Sequence, residues 1–161
     1  MTLFALLACS SSPTSGSPNA TKEALPPEPA VLAAPDPHAG HSEHMAKMAE
    51  TREGLRVALG PAYDAPVPGL DTADATKGRA LFDSHCASCH GSGGKGDGAA
   101  GVGLNPPPAD FTDAFHARYY SDAGRVRLIR AGAVGTAMVG FEAALGEQGV
   151  LDVYAYVRSL R

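Results

Sequence analysis

The stretch Cys86-Ala87-Ser88-Cys89-His90 sets two thiols three positions apart, with an imidazole directly after the second. Thiols at that spacing lie on one helical turn, where both can add to the vinyl groups of one haem while the histidine that follows offers its ring to the iron. A Cys-x-x-Cys pair also serves zinc or dithiol chemistry. Zinc calls for a second pair, and the remaining cysteine, Cys9, stands alone; a thioredoxin-like dithiol calls for a sheet, and no segment alternates like a strand. The motif therefore predicts one covalent haem held by Cys86, Cys89 and His90.

Outward from the motif, the composition agrees with a cofactor-filled core. The 161 residues include only Tyr 5 and Phe 5 as aromatics and no Trp, so side chains alone supply little large apolar volume. A net charge of -4 argues against a nucleic-acid partner. Helical signals flank the motif on both sides. Asp74 can cap a helix running through Ala80, Leu81 and Phe82 toward His85, and Ser121 can cap a second through Val126 and Ile129. A last helix is predicted from about Glu147, with Val150, Val153, Tyr154, Val157 and Leu160 at the helical period. Residues 91–110 read as a long Gly and Pro loop, and the whole of 72–161 reads as all-α.

In this order of features the chain resembles the monohaem class I cytochrome c family over nearly all of residues 72–161. The features are Gly78 and Phe82, then Cys86-Ala-Ser-Cys-His90, Gly94-Lys-Gly-Asp-Gly98, Asn105-Pro-Pro-Pro108, Gly135-Thr-Ala-Met138, and the ending Tyr154-Ala-Tyr156-Val-Arg-Ser-Leu160. The resemblance implies first and last helices that cross at Gly78, with Phe82 and Tyr156 nearby, around one haem c. It also implies that a backbone carbonyl from the proline segment holds the second ring nitrogen of His90, leaving Pro106, Pro107 and Pro108 as candidates.

Met138 is the one thioether inside the haem unit, in a Gly-rich loop, and with the family match it is the expected sixth iron ligand, ahead of His116; His85 adjoins the attachment site too closely. A soft thioether opposite an imidazole favours ferrous iron and closes both axial positions, which suits a carrier rather than a catalyst. Arg125, Arg127 and Arg130 read best as a solvated helix face, with pairing to haem propionates as the alternative.

Ahead of the haem unit the chain changes character. Residues 1–9 read as a truncated lipoprotein-type signal, Leu6-Leu7-Ala8-Cys9, with Cys9 as the lipid-bearing residue. No Lys or Arg precedes the apolar run, as a start codon placed too far downstream would explain. Residues 10–41 hold seven prolines and many serines, which predicts a disordered tether. Residues 42–60 then read as an amphipathic helix with Met45, Met48, Leu55, Ala58 and Leu59 near one face, and residues 61–71 as a Pro-rich connector. His38, His41, His44, Met45 and Met48 form a cluster whose imidazoles and thioethers suit copper, which makes them the candidate second metal site.

These readings converge on a haem protein exported to the periplasmic side of a bacterial membrane, anchored there through Cys9. The resemblance implies one-electron transfer between redox partner proteins such as a quinol-oxidising complex and a terminal oxidase or reductase. Two alternatives stay open: a copper-handling lipoprotein that uses the His and Met cluster, and a gas sensor or enzyme whose sixth ligand leaves the iron.

Overall fold

The computed structural model of the protein describes residues 39–161, with side chains from residue 42 onward. Its helices in order are α1 (Ala39–Leu59), α2 (Ala75–His85), α3 (Ala87–His90), α4 (Ala114–Arg118), α5 (Asp122–Ala131) and α6 (Glu142–Ser159). No strand occurs among the described residues; the one β element is an isolated antiparallel bridge between Gly132 and Val139.

Helix α2 begins where the sequence predicts. Asp74 holds extended backbone, and its carboxylate accepts from the N–H groups of Thr76 (2.9 Å) and Lys77 (3.1 Å), two of the donors a helix start leaves unpaired. Its own N–H donates to Asp152 Oδ1 at 2.8 Å, and this ties the start of α2 to the middle of α6. Asp152 is buried, and Gln148 also donates to it at 2.9 Å, so the carboxylate does not lie inside without donors. The two helices cross at Gly78, where an added Cβ would fall 1.8 Å from the Asp152 carbonyl oxygen. Only a residue without a side chain permits that approach.

The crossing gathers the core. Phe82, Val150, Val153 and Tyr154 are almost completely buried, and Phe82 packs edge-on against both Tyr156 (5.3 Å between centroids) and Phe111 (6.2 Å). Helix α6 is interrupted at Gly146, whose φ of 66° is not helical, so the continuous rod starts near Glu147 as predicted. Helix α5 is capped by the Ser121 hydroxyl, which accepts from Gly124 at 3.1 Å. Its first turn is fastened to α6 through Asp122, which takes the Tyr154 hydroxyl and pairs with Arg158 at 3.4 Å and Arg161 at 3.7 Å.

Helix α1 packs on this unit. Met48 and Leu55 are buried, Leu55 and Tyr63 both close onto Gly124 of α5, and the Tyr120 hydroxyl donates to the Met48 carbonyl at 3.3 Å. Arg52 stacks over Tyr119 at 4.5 Å and Arg56 over Tyr63 at 4.9 Å, which lets long polar side chains cover aromatic faces. The docked face follows His44, Met48, Thr51 and Leu55. Ala58, expected on that face, is exposed because the contact with α5 selects a stripe that leaves it to one side. Residues 61–71, expected as a plain connector, instead carry 3-10 turns, Gly60–Tyr63 running into them and Leu70–Thr72 at their end. The Tyr63 ring explains the order: it is buried, and its hydroxyl accepts from Ser121 N–H at 3.2 Å.

Candidate functional site

Cys86 ends α2 and opens the single turn α3, with the N–H groups of Cys89 (3.2 Å) and His90 (2.9 Å) both donating to the Cys86 carbonyl. One turn therefore presents Cys86, Cys89 and His90 together to a cavity of about 310 Å³, which Met138 also lines. Burial pushes the Cys86 thiol up to about 11, with the neighbouring Cys89 adding to the shift. Burial also lowers the His90 pKa, and the nearby Arg125 guanidinium acts in the same direction. The ring is thus kept neutral, the form that binds a metal.

The second ring nitrogen of His90 is held from outside. Nδ1 lies 3.2 Å from the Ala109 carbonyl oxygen, which makes Nδ1 the donor and leaves Nε2 with the lone pair. The supporting carbonyl thus comes from Ala109, one residue past the three expected candidates. The Pro108 carbonyl is turned elsewhere, only 2.5 Å from the place a Cβ on Gly96 would take. Phe111 adds a second restraint by stacking on the imidazole, 4.7 Å between centroids and 24° between planes. The strap that carries both residues is fixed by hydrogen bonds from Phe111 N–H to the Gly94 carbonyl (2.7 Å) and from Gly96 N–H to the His90 carbonyl (2.8 Å).

Met138 arrives from the loop between α5 and α6, closed upon itself. Ala133 N–H donates to the Met138 carbonyl (3.0 Å), Met138 N–H to the Thr136 hydroxyl (3.1 Å), and Phe141 N–H to the Ile129 carbonyl (2.9 Å). The side chain packs, partly buried, against the apolar core.

Arg125 departs from its expected solvated position. It is only 6% exposed and lines the cavity, with one guanidinium nitrogen donating to the His116 carbonyl and the group lying 5.1 Å from the Tyr120 ring centroid and 5.7 Å from that of Phe111. Its position is set by the helix: Arg125, Leu128 and Ile129 share the cavity-facing stripe at helical spacing, whereas Arg127 points to solvent. Nε has no hydrogen-bond partner, and among the described residues no carboxylate pairs with the guanidinium. A buried cation without a counter-charge is costly, and an acidic group entering the cavity would relieve it.

The cavity thus offers two thiols, an oriented neutral imidazole, the thioethers of Met138 and Met48, an apolar lining and a buried guanidinium with no carboxylate partner among the described residues. Those are the groups that fit a haem: thiols for its vinyls, nitrogen and sulfur for its iron, and a cation for its propionates. A family model described as Cytochrome c matches residues 75–161, more than half of the chain. The chain belongs to the cytochrome c family. It has that family's all-α class I fold and binds one haem c covalently. A solved chain from the Kuenenia stuttgartiensis reducing HAO-like protein complex is similar at 23% identity and a TM-score of 0.48, over 60% of this chain and 45% of that one. The cytochrome therefore spans under half the length of that relative.

The remaining expected residues fall in two places. Cys9 and His38 lie outside the described residues, as does the side chain of His41. His44, Met45 and Met48 lie on α1; His44 and Met48 border the haem cavity, and Met45 borders an open depression beside it. His116 on α4 lies between the two, part-buried, where it meets His44. Sequence reasoning missed Ala109, Phe111 and the inward turn of Arg125. Of these only Arg125 carried a signal, its helical spacing to Leu128 and Ile129.

Proposed function

We propose that this cytochrome is a lipid-anchored one-electron carrier on the periplasmic side of a bacterial membrane, with His90 and Met138 as its axial ligands. The observation that carries the reading is that His90, oriented through Ala109, and Met138, fixed in its own closed loop, line one cavity together with both thiols. Haem iron, when bound, supplies a reversible one-electron couple. The chain's residues do the rest. Cys86 and Cys89 hold the ring edge at α3, Ala109 keeps the His90 ring from turning, and Phe111 and Phe82 exclude water from the ligand side. A thioether from Met138 favours the reduced state, and two protein ligands leave no position for a small-molecule substrate, so the reading is of a carrier and not an enzyme.

Support for the anchor is the Leu6-Leu7-Ala8-Cys9 pattern followed by a Ser- and Pro-rich stretch that, as a coil, would reach about 30 Å from the membrane. No helix among the described residues is long and apolar enough to cross a membrane. Redox partners on that side of the membrane, a quinol-oxidising complex and a terminal oxidase or reductase, belong to the same reading.

The visible spectrum of the haem-loaded protein tests it. A low-spin reduced spectrum that carbon monoxide leaves unchanged, and that becomes sensitive to the gas in Met138→Ala, is the expected result. Ready carbon monoxide binding to the unmutated protein would instead make it a sensor or enzyme with a labile sixth ligand. For the anchor, Cys9→Ser should move the protein from the membrane fraction to the soluble one.

A further inference from the structure

His44 on α1 and His116 on α4 face one another although they are 72 positions apart in sequence, with their Nε2 atoms 3.2 Å apart and their rings crossed at 77°. Two imidazole nitrogens bound to one tetrahedral ion at about 2.0–2.1 Å each are separated by roughly 3.3 Å. The observed spacing suits two ligands on one metal as well as it suits a hydrogen bond between the rings. On the far side of the His116 ring, Asp113 Oδ1 lies 3.2 Å from Nδ1 without making a hydrogen bond to it. The same oxygen accepts from the His116 N–H at 2.8 Å, which fixes it at the base of the ring.

The surroundings supply further donors. Met48 borders the haem cavity together with His44 and His116, and Met45 borders the adjoining depression with His116 and Asp113. The nearby Lys47 ammonium is engaged by Glu50 at 2.9 Å, which offsets its repulsion of a cation.

We propose that His44 and His116 bind one d10 transition ion, Zn(II) or Cu(I), in a second metal site at the edge of the haem cavity. Such an ion joins α1 to α4 and closes α1 over that edge. The two ions differ in what completes the coordination: oxygen ligands suit Zn(II), whereas the thioethers of Met45 and Met48 suit Cu(I).

The test uses the full haem-loaded chain. Zn(II) and, anaerobically on the reduced protein, Cu(I) are titrated by calorimetry. One ion should bind per chain, with affinity falling at least tenfold in both His44→Gln and His116→Gln. The thermal midpoint should rise with the ion in the parent and not in the Gln variants. Loss of affinity in Met45→Leu and Met48→Leu for Cu(I) but not Zn(II) would assign the site to copper, and no loss for either ion to zinc. Haem spectra and circular dichroism matching the parent establish that the variants are folded. Should either Gln variant misfold, the other decides the matter, and unchanged affinity there overturns the proposal. Unchanged affinity in both Gln variants, or loss only in His38→Gln and His41→Gln, overturns it as well.

Discussion

Gly78 of α2 and Asp152 of α6 are in backbone contact: a Cβ on the glycine would sit 1.8 Å from the aspartate carbonyl oxygen. Everything the haem cavity needs from α2 and α6, including the Phe82 and Val153 walls, depends on helices that close. Gly78→Ala pushes a methyl group into backbone, which cannot swing aside as a flexible side chain would. Overpacking usually costs about 1–3 kcal/mol, and a backbone obstacle puts this site at the upper end or beyond. The expected outcome is a strongly lowered urea midpoint and a poor yield of haem-loaded protein, read by absorbance per milligram of purified chain.

Leu55 gives a different result because it lies on α1, away from the helix crossing. It is 7% exposed and packs on Gly124 beside Tyr63. Leu55→Ala removes the apolar contact that holds α1 on α5, where a buried leucine contributes about 2–5 kcal/mol. Because α1 contributes none of Cys86, Cys89, His90 and Met138, the haem spectrum should stay as in the parent. Amide hydrogen exchange should rise across Ala39–Leu59 and stay near parent values in α2 and α6. Equal loosening of α6 would show that α1 is part of one cooperative core.

The contrast between these two sites also marks what the sequence discloses. Gly78, Asp74, Ser121 and the start of the α6 rod near Glu147 are written in local chemistry: a small residue in a helix, side chains that cap, an apolar period. The attachment turn at Cys86–His90 is legible for the same reason, since its spacing is its chemistry. Ala109 is not, because its role belongs to a main-chain carbonyl and any residue supplies one. Phe111 meets His90 across a folded strap, and His116 meets His44 across 72 positions, so neither contact has a local period to betray it. Arg125 reads as solvated because charged residues usually are, and its burial follows from a cavity that only the assembled helices define.

Asp74 provides a pH dependence with a definite sign. Its pKa is lowered from 3.8, chiefly by the hydrogen bond from the Lys77 N–H, with Thr76 N–H and the Lys77 charge adding to it. A folded value below the unfolded one means that the charge stabilises the protein above about pH 4 and that this stabilisation is lost as pH falls through the folded value. Asp74→Asn keeps a capping oxygen but removes the charge. Thermal midpoints of the haem-loaded proteins should therefore differ near pH 6, parent above variant, and the gap should narrow as pH falls below about 4. A gap that persists at the acid end would mean that the carboxylate acts through shape or packing rather than charge.

Arg125 permits a prediction on the redox couple itself. Its guanidinium is buried in the cavity wall without a carboxylate partner among the described residues, so the charge is poorly screened by water. A fixed positive charge beside the iron disfavours the ferric state more than the ferrous, and removing it should lower the reduction potential. At the effective dielectric of a protein interior the shift is on the order of tens of millivolts. Arg125→Gln keeps a polar amide while deleting the charge, whereas Arg125→Lys keeps a cation in different geometry. Spectroelectrochemical titration should place Gln well below the parent and Lys between the two. Because His116 takes its carbonyl contact from Arg125, both variants also need the Met138-dependent absorbance band as a control that ligation is unchanged. Equal potentials for parent and Gln, with ligation intact, would show that the guanidinium is neutralised in the loaded protein and serves only to seal the wall.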